Sequence, residues 1–335
     1  MIRERFNIIG ATKTALAALL LVFSAGQVVA EEAAATAPVT ATASAPAATQ
    51  ADATYIGEKG CTTCHETENK NFGHTLHAKV FRQNPRTEVE KQVCEACHGP
   101  GSLHAKKTKD KNLLIGYTKE WGTPVEKQTA QCLTCHKGGQ RLHWPGSTHA
   151  TNKLSCSDCH NPMAKFSASG LLKKRSITET CQTCHKQQEA EFKKRSHMPV
   201  PEGKMSCEDC HNPHGTVTRP LLKADSVNEV CYTCHAEKRG PFLWEHAPVR
   251  EKCTNCHVPH GSNHDKLLVS ARPFLCQQCH SPSVGHPGTF YNAAGTAANS
   301  LNGGTAGQRV IGRSCQNCHS QIHGSNHPAG ARFQR

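Results

Sequence analysis

The chain has 335 residues, a formal charge of +13, a hydrophobic share of 36 %, 5 % aromatics and a mean hydropathy of −0.56. A soluble domain usually carries about 45–50 % apolar residues, so a conventional packed core is excluded unless another apolar filler is supplied. The basic balance alone would point to nucleic acid, but the 20 cysteines and 23 histidines demand an account first.

In chain order, residues 1–30 read as a secretory signal peptide. Arg3, Arg5 and Lys13 form its charged region, residues 15–23 its apolar stretch, and Val28-Val29-Ala30 its cleavage site. That stretch is short for a membrane span, and no later segment reaches 18 consecutive apolar residues, so no transmembrane helix is expected in the mature chain. Residues 31–54, rich in Ala, Thr, Pro, Ser and Val, read as a flexible linker.

From Tyr55 onward every cysteine falls in a Cys-x-x-Cys-His pentad, and there are ten. They are Cys61 and Cys64 with His65, Cys94 and Cys97 with His98, Cys132 and Cys135 with His136, and Cys156 and Cys159 with His160. Cys181 and Cys184 with His185, Cys207 and Cys210 with His211, and Cys231 and Cys234 with His235 follow. Cys253 and Cys256 with His257, Cys276 and Cys279 with His280, and Cys315 and Cys318 with His319 complete the set. This is the haem c attachment signature: two thiols form thioethers with the porphyrin and the next histidine becomes the proximal iron ligand. Disulfides would not require a histidine after every second cysteine, and zinc would require two Cys-x-x-Cys pairs per ion but no adjacent histidine. Ten covalently bound haems are therefore expected.

The haems also account for the charge. Removing residues 1–30 leaves +11, and twenty propionates with ten ferric cores bring the oxidised protein to about +1. No nucleic-acid partner is expected.

The body is an internal repeat. Ser155-Cys156-Ser157-Asp158-Cys159-His160-Asn161-Pro162 recurs as Ser206-Cys207-Glu208-Asp209-Cys210-His211-Asn212-Pro213, each followed by a Leu-Leu pair, Ser-x-x-Glu and another pentad. A second histidine follows some pentads closely: His104, His214, His260 and His323. After others it lies about a dozen residues on, as in His77, His149, His197 and His246, with His286 a shorter version. These nine are candidate distal ligands, though spacing does not assign each to a haem. The tenth is open. Met163 stands after His160 where the sibling units carry histidine, so that iron takes Met163, borrows a histidine such as His143, or stays open. His74, His264 and His327 are surplus.

Secondary structure should be sparse. Ser176-Ile177-Thr178-Glu179 and Ser226-Val227-Asn228-Glu229 are expected capping boxes opening short helices. Residues 187–196 could form about three helical turns, and residues 281–314 read as a long surface loop. The expected fold class is a multihaem cytochrome c: elongated, mostly irregular, with short α-helices, little or no β-sheet and a core of ten packed haems. Two pentahaem halves are expected, at 55–203 and 204–335.

Irons with paired histidines have no open coordination position, which favours electron transfer over catalysis. No catalytic residue is assigned. A multihaem reductase with an open haem at His160 is the enzymatic alternative, and a soluble periplasmic electron shuttle the other.

The chain resembles the periplasmic decahaem cytochromes of the MtrA/DmsE family. The likeness is carried by Cys231-Tyr232-Thr233-Cys234-His235-Ala236-Glu237-Lys238-Arg239-Gly240-Pro241 and by Leu243-Trp244-Glu245-His246-Ala247-Pro248-Val249. It returns in Ser314-Cys315-Gln316-Asn317-Cys318-His319-Ser320-Gln321 and His323-Gly324-Ser325-Asn326-His327-Pro328. The resemblance implies a haem wire inside an outer-membrane porin-like β-barrel. Such a wire passes electrons between periplasmic cytochromes and an extracellular multihaem cytochrome or terminal reductase, for metal or dimethyl sulfoxide reduction or iron(II) oxidation. Met163 departs from the histidine expected there.

Overall fold

The structure, a computed structural model, describes residues 52–280 and 314–334. The signal peptide, nearly all of the linker, most of the 281–314 segment and His286 lie outside the described residues.

Helices are short because each pentad interrupts the chain with its own turn. In all ten, the histidine N–H donates to the first cysteine's carbonyl at 2.9–3.1 Å. This closes one helical turn and fixes the two thiols relative to the imidazole. Pentads of one class end a helix, as in Gly57–Thr62, Val125–Leu133, Ile177–Gln182 and Val227–Tyr232. The other class sits on a bare turn, as in Cys156–Cys159, Cys207–Asp209, Cys253–Asn255 and Cys315–Asn317.

Capping differs from the sequence reading. Ser176 and Ser226 accept from the Glu179 and Glu229 N–H groups, but, besides Thr87 with Glu90 earlier in the chain, full reciprocal boxes form at Ser155 with Asp158 and Ser206 with Asp209. Those side chains close the turn that carries a pentad. The helix expected over 187–196 is only Lys186–Glu191. Beyond it Ser196 is drawn into an antiparallel bridge with Ser262, each N–H donating to the other's carbonyl at 3.0 and 2.7 Å. That bridge crosses the expected boundary between the two halves.

Among the described residues there are no extended strands, only isolated bridges. Three explain the Leu-Leu repeat: His160 pairs with Leu172, His211 with Leu222 and His257 with Leu268. In each pair the first leucine is left-handed, with φ of 47° at Leu171, 61° at Leu221 and 58° at Leu267. That conformation costs a non-glycine residue on the order of 1 kcal/mol or more. It is held because both flanks are bonded: Asn212 N–H donates to Leu221 O at 2.9 Å and Lys223 N–H to Cys210 O at 3.0 Å.

Apolar burial is thin. Phe72, Ala78 and Val93 form a cluster against which Phe81, Cys94 and Met163 pack, and no large side chain among the described residues is fully enclosed. Glu95, 3 % exposed, ties the start of the body to the second pentad. Its carboxylate accepts from Ile56 N–H at 3.0 Å, Gly57 N–H at 2.8 Å and Gly101 N–H at 2.8 Å. Glu95→Ala is therefore expected to lower stability by about 1–3 kcal/mol, the cost of orphaned buried donors, and Glu95→Gln by less. Thermal unfolding of the haem-loaded protein measures both, and equal losses would show that the carboxylate does not act as the shared acceptor.

Candidate haem-ligand sites

The thiols of successive pentads meet in alternation. First cysteines face each other within hydrogen-bond reach in Cys61/Cys94, Cys132/Cys156, Cys181/Cys207, Cys231/Cys253 and Cys276/Cys315. Second cysteines lie close enough to feel each other's charge in Cys97/Cys135, Cys159/Cys184, Cys210/Cys234 and Cys256/Cys279. The five contacts and four looser approaches join all ten pentads in chain order. With haem attached, each of these sulfurs would be a thioether.

Five of the pentad histidines are oriented by backbone. His98, His160, His211, His257 and His319 place Nδ1 2.6–2.8 Å from the carbonyls of Ile115, Gly170, Pro220, Lys266 and Arg332. A carbonyl only accepts, so Nδ1 carries the proton and Nε2 keeps its lone pair for a metal. His149 and His246 are held in the same way by Pro213 O at 2.8 Å and Ile322 O at 3.0 Å. In the repeated units the carbonyl belongs to the residue before the Leu-Leu pair. The repeat itself was the sequence signal for these anchors, and its purpose was missed.

Seven pentad histidines face a candidate distal histidine. Ring centres are 6.3 Å apart for His65 and His104, 5.8 Å for His136 and His77, and 6.0 Å for His160 and His214. They are 6.1 Å apart for His185 and His149, 6.2 Å for His211 and His260, 6.2 Å for His257 and His323, and 6.1 Å for His280 and His246. An iron bound at about 2 Å to two imidazoles, each ring centre about 1 Å behind its nitrogen, would hold the centres roughly 6 Å apart. No cluster of three or more histidine, cysteine or acidic side chains suited to a bare ion occurs among the described residues. A facing pair of histidines would complete the coordination of a porphyrin iron, whose macrocycle would supply the remaining donors. The residues fit haem.

None of these distal histidines faces the pentad it follows in sequence. His214, His260 and His323 reach back two pentads, while His77, His149 and His246 reach forward two. His104 reaches back one, to the first pentad. The glycine after the backward-reaching histidine permits the approach. A Cβ on Gly215 would lie 2.2 Å from His143 O, and one on Gly261 would lie 2.0 Å from Glu191 O.

This geometry corrects the reading of His160. Its ring lies across from His214 at an interplanar angle of 13°, so neither His143 nor Met163 is needed there and an open iron is not supported. His143 is exposed, and Met163 packs against the apolar cluster beside Cys94. His197 is not brought to a pentad ring: its Nδ1 lies 2.6 Å from Lys194 O and its Nε2 3.0 Å from Glu202, whose carboxylate raises its pKa. His74 and His327 are exposed and His264 half-buried.

Burial pushes His77, His98, His246, His260 and His323 down, and His214 down to about 4. Desolvation favours the neutral imidazole, the form a metal binds. Nδ1 of His77, His104 and His214 is buried without a hydrogen-bond partner, so these three rings lack the backbone anchor that holds His149 and His246.

Residues 197–240 and 246–285 match the doubled CXXCH motif family, and residues 94–177 match the NrfB-like cytochrome c-type proteins. The multiheme cytochrome MtrA of Shewanella baltica (strain OS185) is 37 % identical over 283 residues, covering 83 % of this chain and 81 % of the relative. His214→Ala is expected to leave one iron per molecule without its sixth ligand, while His143→Ala leaves every iron six-coordinate. Electron paramagnetic resonance of the oxidised protein would show a new high-spin signal in the first variant only.

Proposed function

We propose that this chain, which belongs to the MtrA family of multihaem c-type cytochromes and is an electron-transfer protein with covalently bound haem c, carries ten haems as a continuous wire. The observation that carries this reading is the alternating approach of pentad sulfurs from Cys61 to Cys315, through first cysteines in contact and second cysteines near each other. Each attachment point has a neighbour on one side through its first cysteine and on the other through its second. Haem, when bound, supplies an iron that cycles between ferrous and ferric states and a conjugated ring over which the electron spreads.

The chain's own residues attach, orient and saturate. The twenty cysteines hold the macrocycles, His65, His98, His136, His160, His185, His211, His235, His257, His280 and His319 serve as proximal ligands, and backbone carbonyls fix the rings of five of them, His98, His160, His211, His257 and His319. The seven facing histidines fill the opposite positions. Extending the same forward reach assigns His197 to the pentad of His235, after release from Glu202; His286, with no pentad two positions ahead, falls to the last pentad by a one-position step like that of His104 at the other end. Saturated irons exclude substrate, which supports an electron carrier over an enzyme.

The finer reading is conduction across the outer membrane inside a porin-like barrel, between periplasmic cytochromes and an extracellular cytochrome, reductase or iron(II) source. No helix among the described residues is long and apolar enough to cross a membrane, and irregular backbone at membrane depth must be buried in protein or face water. A barrel partner meets that requirement. Export by the signal peptide fits haem c attachment, which takes place outside the bacterial cytoplasm.

Intact-protein mass spectrometry is expected to show ten haems on a chain starting near Glu31, and fewer would break the wire. Detergent extraction is expected to recover a complex with a β-barrel. Quantitative recovery as a soluble monomer from cells that contain the barrel would favour a periplasmic shuttle.

A further inference from the structure

Met163 supplies the clue to the one pentad in the first half that no histidine serves. Its turn is built like that of His214. Met163 N–H donates to Asn161 Oδ1 at 3.0 Å, and His214 N–H donates to Asn212 Oδ1 at 3.1 Å. The two Asn-Pro-x turns therefore present their third residue in the same way. His214 faces the histidine two pentads upstream, as do His260 and His323. Two pentads upstream of Met163 is the pentad Cys94, Cys97 and His98.

The surroundings of Met163 agree. It packs against the cluster of Phe72, Ala78 and Val93 that also holds Cys94, the first attachment cysteine of that pentad. His98 is oriented for metal binding by Ile115 O at 2.8 Å. Its ring contact is Tyr117, edge-on at 5.4 Å, while the histidine after it in sequence, His104, stacks on His65. Ala164 stands where Gly215 and Gly261 follow their histidines, and Met163 rests on apolar side chains. A thioether suits such surroundings because it carries no proton and needs no hydrogen bond.

We propose that Met163 is the sixth ligand of the haem attached at Cys94 and Cys97, giving that haem His98/Met163 ligation beside bis-histidine neighbours. The inference rests on the haem-wire reading above. Thioether ligation raises a haem's potential relative to bis-histidine. In the order set by the sulfur contacts this haem is second from the N-terminal end, so the favoured resting place for an electron lies near one end of the wire.

Near-infrared magnetic circular dichroism of the oxidised haem-loaded protein, with haem content by mass, tests the proposal. The wild type is expected to show one His/Met charge-transfer band per molecule among bis-histidine bands. In Met163→His that band disappears, and the highest midpoint potential falls into the range of the others with the haem count unchanged. Tyr117→Phe, which alters the ring against His98 and removes the bond from its hydroxyl to Cys97 O at 2.6 Å, shifts the potential of the haem bearing the thioether band. A full haem complement without a His/Met band, or a band that survives Met163→His, would overturn the ligation. A Tyr117→Phe shift confined to bis-histidine haems would overturn the assignment to His98. A chain without covalent haem would instead sink the wire itself.

Discussion

An iron inside a porphyrin presents its two open positions on opposite faces, so two imidazoles must be held about 6 Å apart with a flat ring between them. A pentad ties its own histidine to one face through a single turn of backbone, and a few residues of following chain do not lead around the macrocycle. Another segment must supply the opposite ligand. His160 with His214 and His136 with His77 show the solution: each unit lends its second histidine to a pentad two positions away. The units interlock, and the close approach at Gly215 and Gly261 is where the interlocking is tightest.

The same constraint explains the poverty of the polypeptide. Helices stop after one or two turns because the next ligand lies in another direction, and the backbone spends its hydrogen bonds on orienting imidazoles. The left-handed leucines at 171, 221 and 267 are tolerated because the bridge that strains them brings Gly170 O, Pro220 O and Lys266 O to the histidine rings. The apolar surface of the macrocycles replaces the core that a 36 % hydrophobic chain cannot build from side chains.

Alternation of first-cysteine and second-cysteine contacts gives the file of attachment points its continuity. Each pentad has two cysteines and two neighbours, and the ends have one neighbour each. The end pentad also explains the exception in ligand reach: His104 serves His65 because no unit lies two positions before it to receive a ligand. The backward-reaching set then leaves His98 to Met163, which moves the unusual site from the middle of the chain toward its beginning.

Covalent chemistry was legible from the sequence alone. Cys-x-x-Cys-His is a local motif that needs only five consecutive residues, so the candidate attachment sites, the two-pentad repeat and the fold class could be named without a structure. The sequence also offered a pool of nine distal candidates, of which the structure brings seven to a pentad ring. Their partners were not legible, because spacing along the chain suggests that His214 serves His211 and that Met163 serves His160, whereas ligation depends on which segments lie opposite across a macrocycle. Only the tertiary structure set His214 against His160 and Met163 on the apolar cluster that also holds Cys94. The physical reason is that a haem has two faces and its own pentad can reach only one of them.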